Sequence, residues 1–433
     1  MTKKSINIIT LGCSKNLVDS EQLLQQYKAN NINVYHDNYS KYTDIVIINT
    51  CGFINDAKQE SINTIFDFVN AKKQGKIKEL YVMGCLSERY KNDLRKEIPE
   101  VDEFFGVYNI KEILQKTNTK YKYDILDERY ITTPKHYAYI KISDGCDRTC
   151  SFCAIPIIRG KHKSKPIEQI ISETKKLAAN GTKEIILIAQ DLSYYGIDIY
   201  KKQALPELVD KLSNIQGIEW IRLHYTYPAG FPMSLMTIMR NNPKVCSYLD
   251  IALQHISDNM LLKMRRNITK KQTYKLINDF RKTVPQIKLR TTLLVGHPDE
   301  TEQDFNELLE FIKTVKFDRL GVFKYSHEEN TYAYNNYSDN INDKIKQERY
   351  DKIMQIQQQI SLSLNKKFIG TDIKVIIDKK EGDFYIARTQ FDSPEVDNEV
   401  LISAKENNIK IGNFYNVNIF DVNDYDLFGK IIK

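Results

Sequence analysis

The sequence predicts an α/β chain in three parts: an N-terminal parallel-sheet α/β domain, a partial or full β/α barrel, and a C-terminal small all-β barrel. Three observations carry this. At 433 residues the chain is long enough for two or three separately cored domains. Short β-branched runs alternate twice over with amphipathic helical stretches, the rhythm of parallel sheets flanked by helices. Beyond a long polar helical stretch, short alternating strands follow one another without helices between them.

In order, "INIITLG", a helix from about Val18, "IVIINT", a helix through "DAKQESINTIFDFV", and "ELYVMG" form a βαβαβ unit assigned to residues 1–115. Six further strand candidates are "YAYIKI", "EIILIAQ", "IEWIRLH", "YLDIAL", "IKLRTTLLVG" and "RLGVFKYS", separated by helical segments such as "PIEQIISETKKLAA". These build the barrel of residues 132–365, which ends in the polar helix "NDKIKQERYDKIMQIQQQISLSLNKKF". Residues 366–433 contain "DIKVIID", "DFYIARTQF", "EVLISA" and "FYNVNIFDVND", a small barrel of about OB-fold size or less.

Composition narrows the function classes. No apolar run approaches a membrane span, and the N-terminus enters a strand without a signal-peptide core, so a cytoplasmic protein without a membrane partner is expected. In a reducing compartment, seven cysteines read as metal ligands or reactive thiols rather than disulfides. The net charge of +7 is uneven: residues 368–433 hold 8 Lys and Arg against 12 Asp and Glu, leaving a basic body and an acidic tail.

The cysteines fall into two sets of three. Cys146, Cys150 and Cys153, in "SDGCDRTCSFCAIP", occupy the loop after a barrel strand, on the face where such barrels collect catalytic groups. Structural zinc closes with four ligands, whereas three thiolates on a 4Fe-4S cubane leave one iron open for S-adenosylmethionine. A zinc knuckle completed by His162 or a distant residue, or plain buried thiols, is the competing reading. Cys13, Cys51 and Cys85 each end an N-terminal strand, so a parallel sheet gathers them at one edge, where open α/β sheets bind ligands. Here the alternative is ordinary burial of cysteine at strand ends. Cys246 has no partner cysteine and reads as core.

The spacing of the 146–153 loop, with the aromatic Phe152, resembles the radical-SAM superfamily. Both cysteine sets and the small β tail together resemble the radical-SAM methylthiotransferase family over essentially the whole chain. The resemblance implies an N-terminal methylthiotransferase domain, a radical-SAM barrel and a C-terminal TRAM domain. It implies two 4Fe-4S clusters, one on Cys13, Cys51 and Cys85 and one on Cys146, Cys150 and Cys153, with S-adenosylmethionine as co-substrate. In enzymes of this family one S-adenosylmethionine methylates a cluster-associated sulfide, and a second yields the radical that takes hydrogen from an unactivated carbon, which the methylthio group then joins. An electron donor and a sulfur source are implied partners.

"LGCSKNLVDSE", "NTCGFINDAKQES" and the Gln254-His255 pair in "DIALQHISD" resemble the RimO type, which modifies an aspartate of small-subunit ribosomal protein twelve, free or in the ribosomal subunit, to 3-methylthioaspartate. The acidic tail agrees, since a tRNA-binding tail should be basic. A tRNA adenosine methylthiotransferase is the alternative, and a non-catalytic zinc scaffold a more distant one. Gln190 and Asp191 end one barrel strand, Gln254 and His255 another, and Arg290 lies in a third; Gln190, Gln254, His255 and Arg290 are the expected cofactor-pocket residues, while Asp191 equally suits a helix cap. No residue is assigned a catalytic acid or base. The basic stretch "IRGKHKSKP" follows the cluster loop. His297 and Asp299 stand where the family more often has phenylalanine and glycine, and Asn267 and Asn330 where glycine is common; asparagine tolerates the left-handed backbone region.

Overall fold

The computed structural model describes residues 4–41, 43–405 and 409–432. The β-branched runs become strands β1 (Ser5–Thr10), β3 (Ile45–Thr50) and β4 (Glu79–Gly84), flanked by two strands the sequence pattern had not disclosed, β2 (Asn33–His36) and β5 (Glu103–Phe104). All pair in parallel in the order β2-β1-β3-β4-β5. Helices α1 (Ser14–Ala29), α2 (Asn55–Lys73) and α3 (Cys85–Glu97) connect them, and α4 (Ile110–Lys116) follows. Alternate strand residues feed two separate cores, Ile9, Val46, Ile48 and Val82 on one face, Ile6, Ile8, Ile47 and Tyr81 on the other.

The second part is a partial barrel. Strands β6 (Tyr137–Lys141), β9 (Glu184–Ile188) and β10 (Trp220–Leu223) form one parallel sheet, and β11 (Tyr248–Gln254), β12 (Lys288–Val295) and β13 (Arg319–Lys324) another. Single bridges at Ile221 and Thr226 join β10 to β11. A two-residue hairpin of β7 (Ser143–Asp144) and β8 (Lys163–Ser164) closes the base of the 146–153 loop, and α5 (Ile155–Arg159) leaves that loop.

The period-2 pattern shows what fills the barrel. Ala138, Ile140, Ile185 and Leu187 face the surrounding helices, whereas Tyr137, Tyr139, Ile186 and Ile188 face inward and pack on Leu17 and Val18 of α1. The helix behind Cys13 therefore covers one end of the barrel interior.

The tail covers the other end. Strands β14 (Asp372–Glu381), β15 (Phe384–Thr389), β16 (Val400–Ser403), β17 (Phe414–Val422) and β18 (Leu427–Ile431) close into a barrel ordered β14-β15-β16-β18-β17. The sequence pattern had shown four of the five. The segment after β15 lies across the N-terminal ends of the large barrel's strands: Arg222 reaches Gln390 O at 2.8 Å, Arg319 reaches Asp392 at 3.0 Å, and Tyr248 and Arg290 share Asp397 at 2.8 and 2.5 Å. No helix among the described residues is long and apolar enough to cross a membrane.

Candidate active site

Cys13 caps the N-terminus of α1, Cys51 directly follows β3, and Cys85 opens α3 directly after β4, so all three stand at one sheet edge. Two glycines make room for them. Gly12 has φ +91°, and a Cβ there would lie 2.8 Å from the Cys51 Cβ and 3.1 Å from its Sγ. Gly84, at φ +96°, would meet Asn49 Oδ1 at 2.4 Å and Thr50 O at 2.6 Å. Asn16 laces the edge together: its Nδ2 donates to Leu11 O and Thr50 O at 2.9 and 3.1 Å, and its Oδ1 accepts from Cys85 Sγ at 3.7 Å and Arg159 Nη2 at 2.7 Å.

Burial pushes Cys85 up to about 12, with Arg159 opposing it, and raises Cys51. At Cys13 burial also acts upward, but Lys15 and Arg159, with the amides of Asn16 and Lys15, outweigh it and lower the thiol. Helix N-termini behind Cys13 and Cys85 favour the thiolate form.

In the second set Cys146 N donates to Gly160 O at 3.0 Å and Cys153 N to Cys150 O at 3.2 Å, folding the loop back on itself. Arg148 N points at Cys146 Sγ at 3.4 Å. Arg266 Nη1 donates to Cys150 Sγ at 3.0 Å. Burial pushes Cys146 up to about 11 and raises Cys153 further. Between them Ser151 Oγ lies 3.0 Å from His297 Nε2, so the histidine found in place of phenylalanine ties down this loop.

The two sets meet across one interface. Cys85 packs in a cluster with Val107, Ala154 and Ile158, the latter two just beyond Cys153. Arg159, buried at the end of α5, bonds Asp144 beside the second set at 3.0 Å and Asn16 and Asp19 beside the first at 2.7 and 3.1 Å. Lys141 joins Asp19 to Asp144, the latter at 2.7 Å. Burial acts upward on Asp144, but Lys141 and Arg159 hold its carboxyl well below the usual carboxylate range. Lys15 crosses the same seam, 3.6 Å above the Tyr225 ring and 3.4 Å from Ala189 O.

Of the expected pocket residues, Gln190 and Gln254 are half-buried at the C-terminal ends of β9 and β11, and among the described residues no hydrogen bond occupies either side-chain amide. Gln254 sits at φ 72°, and Tyr225 beyond β10 at φ 65°, both left-handed and uncommon for such residues. Asp191 caps the turn after β9 through Ser193 N at 2.9 Å and holds Arg148 at 2.8 Å. His255 and Arg290 depart from the expectation. His255 is fully buried with Nε2 on Glu300 at 3.1 Å and Nδ1 accepting from Ser257 N at 3.1 Å. Both ring nitrogens are thus taken by protein. Arg290 lies near the opposite end of its strand, bonded to Asp397. His162 faces Ser164 Oγ at 2.9 Å rather than completing a zinc knuckle. Among the described residues no three His, Cys, Asp or Glu converge on a single metal ion. A cubane instead spreads its thiolates over separate irons. Asn267, Asp299 and Asn330 all take positive φ, which explains why glycine is common there.

The residues fit iron-sulfur groups. Ser14 Oγ and Ser87 Oγ, beside Cys13 and Cys85, and Arg266 Nε, beside Cys150, are buried without hydrogen-bond partners among the described residues. Three thiols in each set with cations at Cys13, Cys85 and Cys150 suit thiolate ligation.

Family models match in sequence order: the uncharacterized protein family UPF0004 over residues 5–106, the radical SAM superfamily over 140–312 and the TRAM domain over 369–432. Fold and site together define a radical-SAM methylthiotransferase. A Phocaeicola vulgatus protein called ribosomal protein uS12 methylthiotransferase RimO is 58% identical over 432 residues, covering 100% of both chains; one of the same name from Christiangramia forsetii is 55% identical over 430 residues, covering 99% of this chain and 95% of that one. The chain belongs to this RimO family. Among solved structures, the radical S-adenosylmethionine methyltransferase TsrM from Kitasatospora setae, with cobalamin and a 4Fe-4S cluster, aligns with TM-score 0.54 at 11% identity over 75% of each chain. OxsB, a cobalamin-dependent radical enzyme, aligns with TM-score 0.52 at 12% identity over 83% of this chain and 56% of that one. At such identities the likeness concerns the fold.

Arg266, Lys15 and Asp19 are functional candidates that sequence reasoning passed over, whereas Arg159 lies in the basic stretch 158–166 already singled out beside the cluster loop. Lys15 and Asp19 were legible in principle, four apart on the helix that Cys13 caps. Nothing local marks an arginine as buried.

Proposed function

We propose that the protein methylthiolates the β-carbon of an aspartate in ribosomal protein uS12, giving 3-methylthioaspartate. We further propose that Cys13, Cys51 and Cys85 hold one 4Fe-4S cluster, that Cys146, Cys150 and Cys153 hold a second, and that the three units are residues 1–115, 132–365 and 366–433. When bound, the clusters and S-adenosylmethionine supply the electron, the methyl group and the radical needed to functionalise a C–H bond that no side chain deprotonates at neutral pH. The observation that carries the reading is the shared seam: Arg159 and Lys141 pin the edge bearing one cysteine set against the loop bearing the other.

The chain's own residues then bind and orient. Gln190 and Gln254 offer unoccupied amides at the end of the barrel where the 146–153 loop lies, suited to polar groups of S-adenosylmethionine. Val18 and the inward Tyr137 and Tyr139 exclude water from the barrel interior, which protects a radical from quenching. Asp191 fixes Arg148 and thereby the loop amide aimed at Cys146.

The test is mass spectrometry of uS12 and of digested tRNA from cells with and without the gene. Loss of a methylthio increment from an aspartate of uS12, with tRNA unchanged, is expected. Loss from tRNA adenosines instead overturns the substrate assignment while leaving the two-cluster chemistry standing.

A further inference from the structure

Among the described residues Arg266 is a buried cation without an ordinary counter-ion. It is 3% exposed, its Nε has no hydrogen-bond partner among the described residues, Nη2 donates to the Ala252 carbonyl, and Nη1 donates to Cys150 Sγ at 3.0 Å. The Tyr227 ring lies 4.2 Å from this guanidinium and 4.1 Å from that of Arg148, so one aromatic face set serves two cations. Tyr227 Oη in turn donates to the Arg266 carbonyl at 2.8 Å, fixing the backbone that presents the side chain. The carboxylate that acts on Arg266, Asp191, is already bonded to Arg148.

A guanidinium withdrawn from water without an anion is costly, by several kcal/mol in general. Elsewhere in this protein buried arginines have carboxylates: Arg222 and Arg388 share Glu184, Arg319 has Asp392, Arg159 has Asp19 and Asp144. At Arg266 that place is taken by a cysteine sulfur.

We propose that Arg266 is the counter-ion of the cluster on Cys146, Cys150 and Cys153, donating an N–H···S bond to Cys150 and easing its one-electron reduction. This rests on the reading that those cysteines hold a cluster. A thiolate-ligated cluster gains one negative charge on reduction, and a fixed cation with a hydrogen bond to a ligand sulfur stabilises that charge. Arg266 is therefore a positioning and potential-setting residue, and no proton moves in the step.

The experiment uses the full-length chain carrying Cys13→Ala, Cys51→Ala and Cys85→Ala, reconstituted anaerobically, so that one cluster remains. Iron and sulfide content is measured first, then the midpoint potential by electron paramagnetic resonance during reductive titration, with and without Arg266→Gln. The expected result is a retained cluster that is at least tenfold harder to reduce, a fall of about 59 mV for one electron. A cluster of unchanged potential overturns the inference. No iron in the Arg266-containing chain overturns the underlying cluster reading instead. Should R266Q fail to assemble, the same triple-alanine chain with Arg266 intact and arginine labelled by 15N in the guanidino group decides. A 15N coupling to the reduced cluster is expected, and its absence refutes the contact.

Discussion

Asp250, third in β11, lies buried within the large barrel, where its Oδ2 accepts from Tyr225 N at 3.2 Å. Burial raises its carboxyl to about 6, against the opposing effects of Arg290, that amide and Lys15. The ordinary value is 3.8, so the folded state disfavours ionisation by about two units, and at about 1.36 kcal/mol per unit this costs about 3 kcal/mol at neutral pH. The sign follows from proton binding. Between about pH 4 and pH 6 the folded chain holds a proton that the unfolded chain has lost, so stability due to this group is full below about pH 4, declines as pH rises to about 6, and is then level. Asp250→Asn keeps an acceptor for Tyr225 N and cannot ionise. Relative to the parent it should gain about 3 kcal/mol at pH 7.5 but only about 1 kcal/mol at pH 4.5. Trp220, the single tryptophan, is buried in neighbouring β10, so its fluorescence during urea unfolding reports on this barrel. A gain equal at the two pH values, or larger in acid, would refute the linkage argument.

Other perturbations address the seam and the loop. Arg159→Met leaves Asp19 and Asp144 with Lys141 alone and should destabilise by about 3–5 kcal/mol; calorimetry should show the loss, and Arg159→Lys should recover part of it. Gly12→Ala sets a Cβ against Cys51 at a backbone angle alanine resists, so reconstituted protein should lose roughly half its iron while the 146–153 loop keeps its share; full iron content would discount the close approach. His297 is lowered to about 4 by burial, against a smaller upward pull from the Pro298 carbonyl and Glu300. Its contribution is therefore complete above about pH 6.5 and lost as pH falls toward 4, and His297→Phe should close the stability gap to the parent over that window in acid urea titrations, while costing about 1 kcal/mol at neutral pH for the lost Ser151 bond.

What the sequence disclosed depended on how local the cause was. The six barrel strands and β1, β3 and β4 are buried β-branched runs, and the pattern exposes them directly. Strand β2 is half-exposed, β5 has two residues and β18 is interrupted by Gly429, so none carries a clear period of its own. The cysteines were legible because one set is a tight local spacing and the other repeats a strand-end position three times. Arg266 was not, since its partner Cys150 lies 116 positions away and only the folded barrel brings them together. His255 shows the converse. A strand-end histidine suggested a pocket, but its chemistry is consumed by Glu300, itself held by Arg349 at 2.7 Å from the long helix Asp343–Asn365.

The tail's charge takes on a different meaning once its contacts are known. Asp378 bonds His136 at 2.8 Å and also Arg388, Asp392 bonds Arg319, and Asp397 bonds Arg290. Among the described residues, five of the twelve acidic residues in 368–433 therefore join the small barrel to the preceding unit, with Glu395 accepting from Tyr137 and Asp424 from Gln358, and of the eight basic residues there Arg388 does so through Glu184 and Lys374 through Glu219. Seven acidic and six basic residues of the stretch are left, a near balance. Burial pulls upward on Asp397, yet Arg290 and Arg319 hold it low, as expected of a docking charge rather than a steering one. The acidic excess that seemed to suit a basic ribosomal protein is thus largely mortar within the chain. The choice between protein and tRNA substrates therefore rests on the cysteine-bearing motifs and the full-length likeness rather than on the charge of the tail.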